Sequence, residues 1–277
     1  MDMDLGNLLD RVRRTAPLVQ CITNFVTVND CANIILAAGG SPTMAEDVRE
    51  VEETAAAAQA LVCNFGPIEK VPAMVLAGRS ANRAGRPVVL DPVAAGSTAI
   101  RRQESARLLE EVRFSVIRGN ASEIRALARG ELAGSGVDVE AGDEVTEANL
   151  PRTVEMACSL ARRTGAVVAV SGPIDVVSDG VRTAVIRNGC ATMARITGSG
   201  CMLSALLGAF CGGAPDQIFE TTCAAVAAMG VAGELAEARR VRNGTGNATF
   251  RTDLIDAIFN MTAEQLNGGA HCELYEG

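Results

Sequence analysis

Short apolar runs of four or five residues recur along this chain, and between them apolar residues return every three or four positions. The first pattern suits strands buried on both faces, the second helices with one buried stripe. The runs fall at 18–22, 60–63, 87–90, 114–117 and 166–170, with 41–44 as a further short strand or loop. Helices are expected over 5–16, from a cap at Thr23-Asn24 through 38, and over 46–59, 69–84, 99–112, 121–128 and 147–164. Residues 130–144 read as a polar, glycine-bearing loop.

Strand and helix alternate with short connections, so a mostly parallel sheet with helices on both faces is the expected architecture. Two β-branched runs, 174–177 and 181–186, flank Ser178-Asp179-Gly180 and predict a hairpin, an antiparallel edge on that sheet. From Gly200 onward the pattern is helical, over about 200–212, 216–240 and 247–265. No linker-like composition and no repeat interrupts the chain, which reads as a single α/β domain over 1–277.

Composition narrows the class. Hydrophobic residues make up 48% of the 277 and charged residues 21%, enough for a sizeable core, built from aliphatics because there is no Trp and one Tyr. A net charge of −8 without a basic run argues against nucleic acid or an anionic membrane as partner. Nine cysteines, an odd number with no Cys-x-x-Cys, sit mostly in apolar segments, which fits a reduced, cytoplasmic chain. The acidic start, Met1-Asp2-Met3-Asp4, is unlike a signal peptide, and no uninterrupted apolar stretch reaches the ~18 residues of a membrane span.

Chemistry gathers at the predicted carboxyl ends of the strands, where parallel α/β sheets bind ligands. Asn24, Asn64, Asp91, Arg118, Asn120 and Ser171 each follow a strand. The sequence Gly198-Ser199-Gly200-Cys201 then opens directly into an apolar helix. Backbone N–H groups and the helix dipole would converge there on an anion, and the same dipole would favour a thiolate at Cys201. Each feature also has a structural reading. Asn120-Ala121-Ser122-Glu123 is a helix-capping sequence, Asp91-Pro92 a turn former, Gly198-Ser199-Gly200 a flexible loop without the Lys-Ser/Thr of a P-loop, and Cys201 a small buried hydrophobe. The one histidine, His271, falls in a C-terminal tail expected to fray, so a thiol hydrolase built on Cys201 lacks its usual proton acceptor.

Five separated motifs carry a resemblance that covers about 8–262. These are Pro17 through Asn24 with Gly40-Ser41-Pro42-Thr43-Met44-Ala45; Asp91-Pro92-Val93 with Gly96; Ile117 through Ile124; Ser171-Gly172 with Asp175-Val176; and Thr197 through Cys201. In this order they resemble the hydroxyethylthiazole kinase family, of the ribokinase-like superfamily. The resemblance implies ATP-dependent phosphorylation of 4-methyl-5-(2-hydroxyethyl)thiazole in thiamine synthesis or salvage. It places Met44, Gly198 and Asn24 at the thiazole alcohol, Arg118 and Ser171 at ATP, and Asp91 and Glu123 at Mg²⁺. The backbone of Gly198, Ser199, Gly200 and Cys201 would form an anion hole, with Cys201 where most ribokinase-like enzymes carry a catalytic aspartate. It further implies a homotrimer with active sites between subunits. The chain departs from the family pattern with Gln20 for His, Ala94 for Gly and Ser171 for Thr. The alternatives are another ribokinase-like vitamin or sugar kinase, or a non-catalytic nucleotide- or thiazole-binding protein.

Overall fold

A computed structural model describes residues 3–129 and 144–276. The predicted loop at 130–144 lies outside the described residues but for its last position. In chain order the first half runs α1 (Leu5–Thr15), β1 (Leu18–Ile22), α2 (Val28–Ala38), β2 (Ser41–Thr43), α3 (Val51–Ala57), β3 (Ala60–Asn64), α4 (Val71–Arg83), β4 (Val88–Asp91), α5 (Ala99–Glu111), β5 (Val116–Asn120) and α6 (Ala121–Arg129). After it come α7 (Leu150–Thr164), β6 (Val167–Ser171), β7 (Asp175–Ser178), β8 (Thr183–Ile186), α8 (Ser199–Gly213), α9 (Ile218–Asn243), α10 (Asn247–Asn260), α11 (Ala263–Gly269) and β9 (Cys272–Leu274).

The strands form one sheet in the order β2-β1-β3-β4-β5-β6-β7-β8-β9. The first six are parallel, and β7, β8 and β9 pair antiparallel, as the hairpin reading expects for the first two. Side chains alternate across the sheet. In β3, Ala60 and Val62 face the core under α1, α2, α8 and α9, while Leu61 and Cys63 face the core under α3 to α7. That is why these strands read as continuous apolar runs rather than as alternating ones. Helix α8 is buried all round from Met202 to Gly213, with Leu206, Leu207 and Phe210 each worth about 2 kcal/mol of burial. Helix α9 is long and apolar enough to cross a membrane, but 78% of that window is buried inside the protein as a core helix.

Five local expectations change. The strand expected at 114–117 is β5, Val116–Asn120, so Arg118 and Asn120 lie within it rather than after it. The helix after Asn24 starts only at Val28, because the Asn24 side chain is spent on other polar groups and does not cap it. Helix α3 is shorter than 46–59, since the Asp47 carboxylate accepts from Arg49 N and closes a turn in its place. The stretch 247–265 divides at Met261, where Thr262 and Gln265 form a capping box for α11. Finally, the C-terminal tail does not fray. Cys272–Leu274 adds an edge strand beside β8, and the His271 carbonyl accepts from Arg187 N.

Candidate active site

Parallel register sets the rim. Asn64 pairs with Asp91 across β3 and β4, and Asn120 with Ser171 across β5 and β6, so these polar residues end their strands side by side. Facing them is the start of α8. Gly198 caps that helix at φ +82°, a conformation that favours glycine, and a Cβ there would stand 2.5 Å from Thr27 Cγ2. No side chain caps α8, which leaves its first N–H groups directed outward.

Behind the rim lies a buried polar network. Asp91, 1% exposed, accepts through Oδ2 from Ser204 Oγ (2.8 Å) and Asn64 Nδ2 (3.0 Å), with Arg118 Nη1 at 3.6 Å. Its Oδ1 is buried without a partner, as is Arg118 Nε. Burial pushes the Asp91 carboxyl up to about 6, against the pull of Arg118. Arg118 also donates to Ser171 Oγ at 2.5 Å, and its guanidinium packs against Gly200, where a Cβ would lie 2.5 Å from Nη1.

Cys201 Sγ accepts from Asn64 Nδ2 (3.1 Å) and Asn24 Nδ2 (3.5 Å). The expectation that the helix end would lower its pKa is not met. Burial, then the nearby Asp91 charge, raise the thiol above its ordinary value and outweigh the hydrogen bonds from Thr27, Asn24 and Asn64. Glu123 performs the capping that its sequence suggests, since Asn120 N donates to its Oε2 at 2.8 Å while Glu123 N donates to Asn120 Oδ1 at 2.9 Å. Its Oε1 accepts from Ala94 N (3.0 Å), and Ala94 holds φ +55° to reach it.

Two cavities meet at this network. A larger one of about 790 Å³ is lined by the polar residues Ser171 and Asp175 with Gly172, and by the apolar Met193, Leu203, Val226 and Met229. A smaller one of about 220 Å³ is bounded by Asp91, Glu123, Gly198 and Cys201. Arg118, Asn120 and Gly200 line both. Asn24 joins the network through Asn64 and Cys201, whereas Met44 lines neither cavity and packs half-buried against the core. Sequence reasoning set Asn64 on the rim without a role, and it passed over Ser204. Ser204 lies three residues after Cys201, a spacing that puts both on one helix face.

The model of the hydroxyethylthiazole kinase family matches residues 9–264, nearly the whole of the sheet and all the residues just described. The chain belongs to the hydroxyethylthiazole kinase family. It is 44% identical to the hydroxyethylthiazole kinase of Clostridium acetobutylicum over 98% of this chain and 100% of that one. Its fold matches the structure of the Pyrococcus horikoshii hydroxyethylthiazole kinase with a TM-score of 0.85 at 34% identity, covering 98% and 99% of the two chains. A ribokinase-like superfamily protein from Enterococcus faecalis matches at a TM-score of 0.58 and 11% identity over 90% and 88%, which shows the shared ribokinase-like fold.

Proposed function

We propose that this chain, acting as one catalytic domain, transfers the γ-phosphoryl group of ATP to the hydroxyl of 4-methyl-5-(2-hydroxyethyl)thiazole. The observation that carries the reading is the pair of cavities sharing Arg118 and Gly200 as a common wall. One is large enough for a nucleotide and the other for a small alcohol. ATP would lie in the larger cavity with its phosphates against Arg118, the Ser171 hydroxyl and the first N–H groups of α8. Those from Gly198 to Cys201 would serve as the anion hole. The thiazole alcohol would lie in the smaller cavity against Gly198, with Asn24 behind Cys201, while Met44, which lines neither cavity, could meet it only from outside that cavity.

The alcohol oxygen attacks the γ-phosphorus in line, the bond to the β,γ-bridging oxygen breaks, and ADP leaves. In a loose transition state the alcohol proton departs late, passing to an oxygen of the transferred phosphoryl group and on to water, so positioning and charge neutralisation dominate. Arg118 supplies fixed positive charge in a buried setting. Cys201, whose thiol is held protonated at neutral pH by burial, acts by position. Its sulfur is fixed by Asn64 and Asn24 against the small cavity. Asp91, whose Oδ1 is buried without a partner, and Glu123 both line the small cavity and fit a cation that keeps most of its waters, so these two would hold Mg²⁺. When bound, Mg²⁺ would supply neutralising charge for the transferred group.

Two further parts of the reading concern assembly and place. A homotrimer with active sites between subunits is supported by Phe25, 88% exposed, and Val26, 59% exposed, standing directly beside Asn24. A cytoplasmic location is supported by nine free cysteines. The test is ADP release with Mg²⁺ and ATP across a panel of acceptors. Strong stimulation by the thiazole alcohol, and none by pyridoxal or ribose, is expected. Equal stimulation by all three would return the reading to a general vitamin or sugar kinase.

A further inference from the structure

Part of the wall of the large cavity is the segment Asn188-Gly189-Cys190-Ala191, which has no regular strand or helix before Ala191 to hold it. Beyond one local bond, from Met193 N to Cys190 O, its hydrogen bonds run to elements remote in sequence. Asn188, 5% exposed, donates through Nδ2 to Glu234 Oε1 (3.1 Å) and to Gly269 O (2.9 Å), and accepts through Oδ1 from His271 N (2.7 Å). Both amide hydrogens are therefore used within the protein, and none is left for a ligand. Glu234 Oε1 also accepts from Gly189 N at 2.9 Å, so one carboxylate oxygen gathers two donors from the wall. On α9, one turn earlier, Gly230 lets the wall come close, since a Cβ there would lie 2.5 Å from Asn188 Cβ and 2.9 Å from its backbone carbon. Residues 269 and 271 lie beyond the segment that the family model matches, which ends at 264.

We propose that Asn188 and Glu234 are positioning residues for the nucleotide: with the α11–β9 junction behind them, they clamp the 188–191 wall at the width the nucleotide requires. This rests on the larger cavity being the ATP site. The clamp acts on binding of the nucleotide and leaves the transfer step to Arg118, shared by both cavities, and to Cys201 on the smaller one. It also gives β9 a purpose, because the terminal strand anchors the carbonyl of Gly269 and the N–H of His271 against Asn188.

Glu234 is the better residue to change, because it is half-buried and its loss leaves the core intact. Glu234→Ala frees Gly189 N–H and one Asn188 hydrogen. It is expected to raise KM for ATP about tenfold, the scale of one charge-assisted hydrogen bond. The same variant should leave KM for the thiazole alcohol, and kcat at saturating ATP, within about twofold of the parent. Glu234→Gln keeps an oxygen acceptor and is expected to restore most of the loss. Hydrogen exchange of the parent enzyme, with and without ATP and Mg²⁺, separates the cavity's assignment from the clamp. If ATP does not protect the peptide spanning 187–193, the assignment of the cavity fails. If ATP protects it and Glu234→Ala leaves KM for ATP unchanged, or lowers kcat alone, the clamp fails while the assignment stands.

Discussion

Gly200 sets stability and activity against each other, and a single methyl group should separate them. In Gly200→Ala the new Cβ would stand 2.5 Å from Arg118 Nη1 and 3.0 Å from Nη2, where ordinary contact begins at 3.4 Å. The guanidinium must therefore withdraw by roughly 1 Å, and it can, because it ends a flexible side chain. Withdrawal strains its 2.5 Å hydrogen bond to Ser171 Oγ and its approach to Asp91. Folding should suffer little. Position 200 lies in the first turn of α8, and alanine in a helix is favoured over glycine by up to about 1 kcal/mol. Turnover should suffer greatly, because a misplacement of about 1 Å costs on the order of 10²-fold, or about 2.7 kcal/mol of transition-state stabilisation. Urea denaturation and steady-state kcat/KM on the same preparation read the two effects. The expected result is unchanged or slightly raised stability with a hundredfold-scale loss of kcat/KM. A variant with kcat/KM within about threefold of the parent would remove the packed guanidinium from the account.

Three other outcomes follow from the same geometry. Ala94→Gly should gain about 0.5–1 kcal/mol in chemical denaturation, because the left-handed φ of +55° costs alanine more than glycine's extra unfolded entropy takes back. Cys201→Ser should retain measurable turnover, since a hydroxyl occupies the same position between Asn64 and Asn24; collapse to background would make the sulfur itself essential. Asp175 gives a pH signature. Burial raises its carboxyl from 3.8 to about 7, against the N–H of Gly172 and the Arg118 charge. The folded protein then holds that proton more tightly than the unfolded chain. Its contribution is full below about pH 4 and is lost as pH rises toward 7. Asp175→Asn keeps an acceptor for Gly172 N and should flatten this part of the profile, as denaturation at pH 5 and pH 8 will read; a slope equal to the parent's would assign it to another group.

Strand positions were readable because parallel strands buried on both faces leave runs such as Val88–Asp91 that no amphipathic helix mimics. Helix starts were less so, because a side chain that looks like a cap can be employed elsewhere. Asn24 serves Asn64 and Cys201, and the helix begins four residues later at Val28. β9 was illegible for a different reason: three residues show no periodicity, and what makes them a strand is the free edge of β8, set by chain far away. At the site, residue types at strand ends pointed to the rim, but not to which would carry shifted protons. The elevated thiol of Cys201 comes from its burial and from Asp91, a neighbour 110 residues distant in sequence that only the fold supplies.

The reaction product decides the chemistry. Purified protein, ATP, Mg²⁺ and the thiazole alcohol are incubated together, and the products are read by phosphorus NMR and mass spectrometry. A new phosphomonoester on the hydroxyethyl group is expected, formed mole for mole with ADP and absent in the Arg118→Ala variant. ADP formed with inorganic phosphate as the sole partner, or a thiazole alcohol recovered unchanged, would contradict that chemistry.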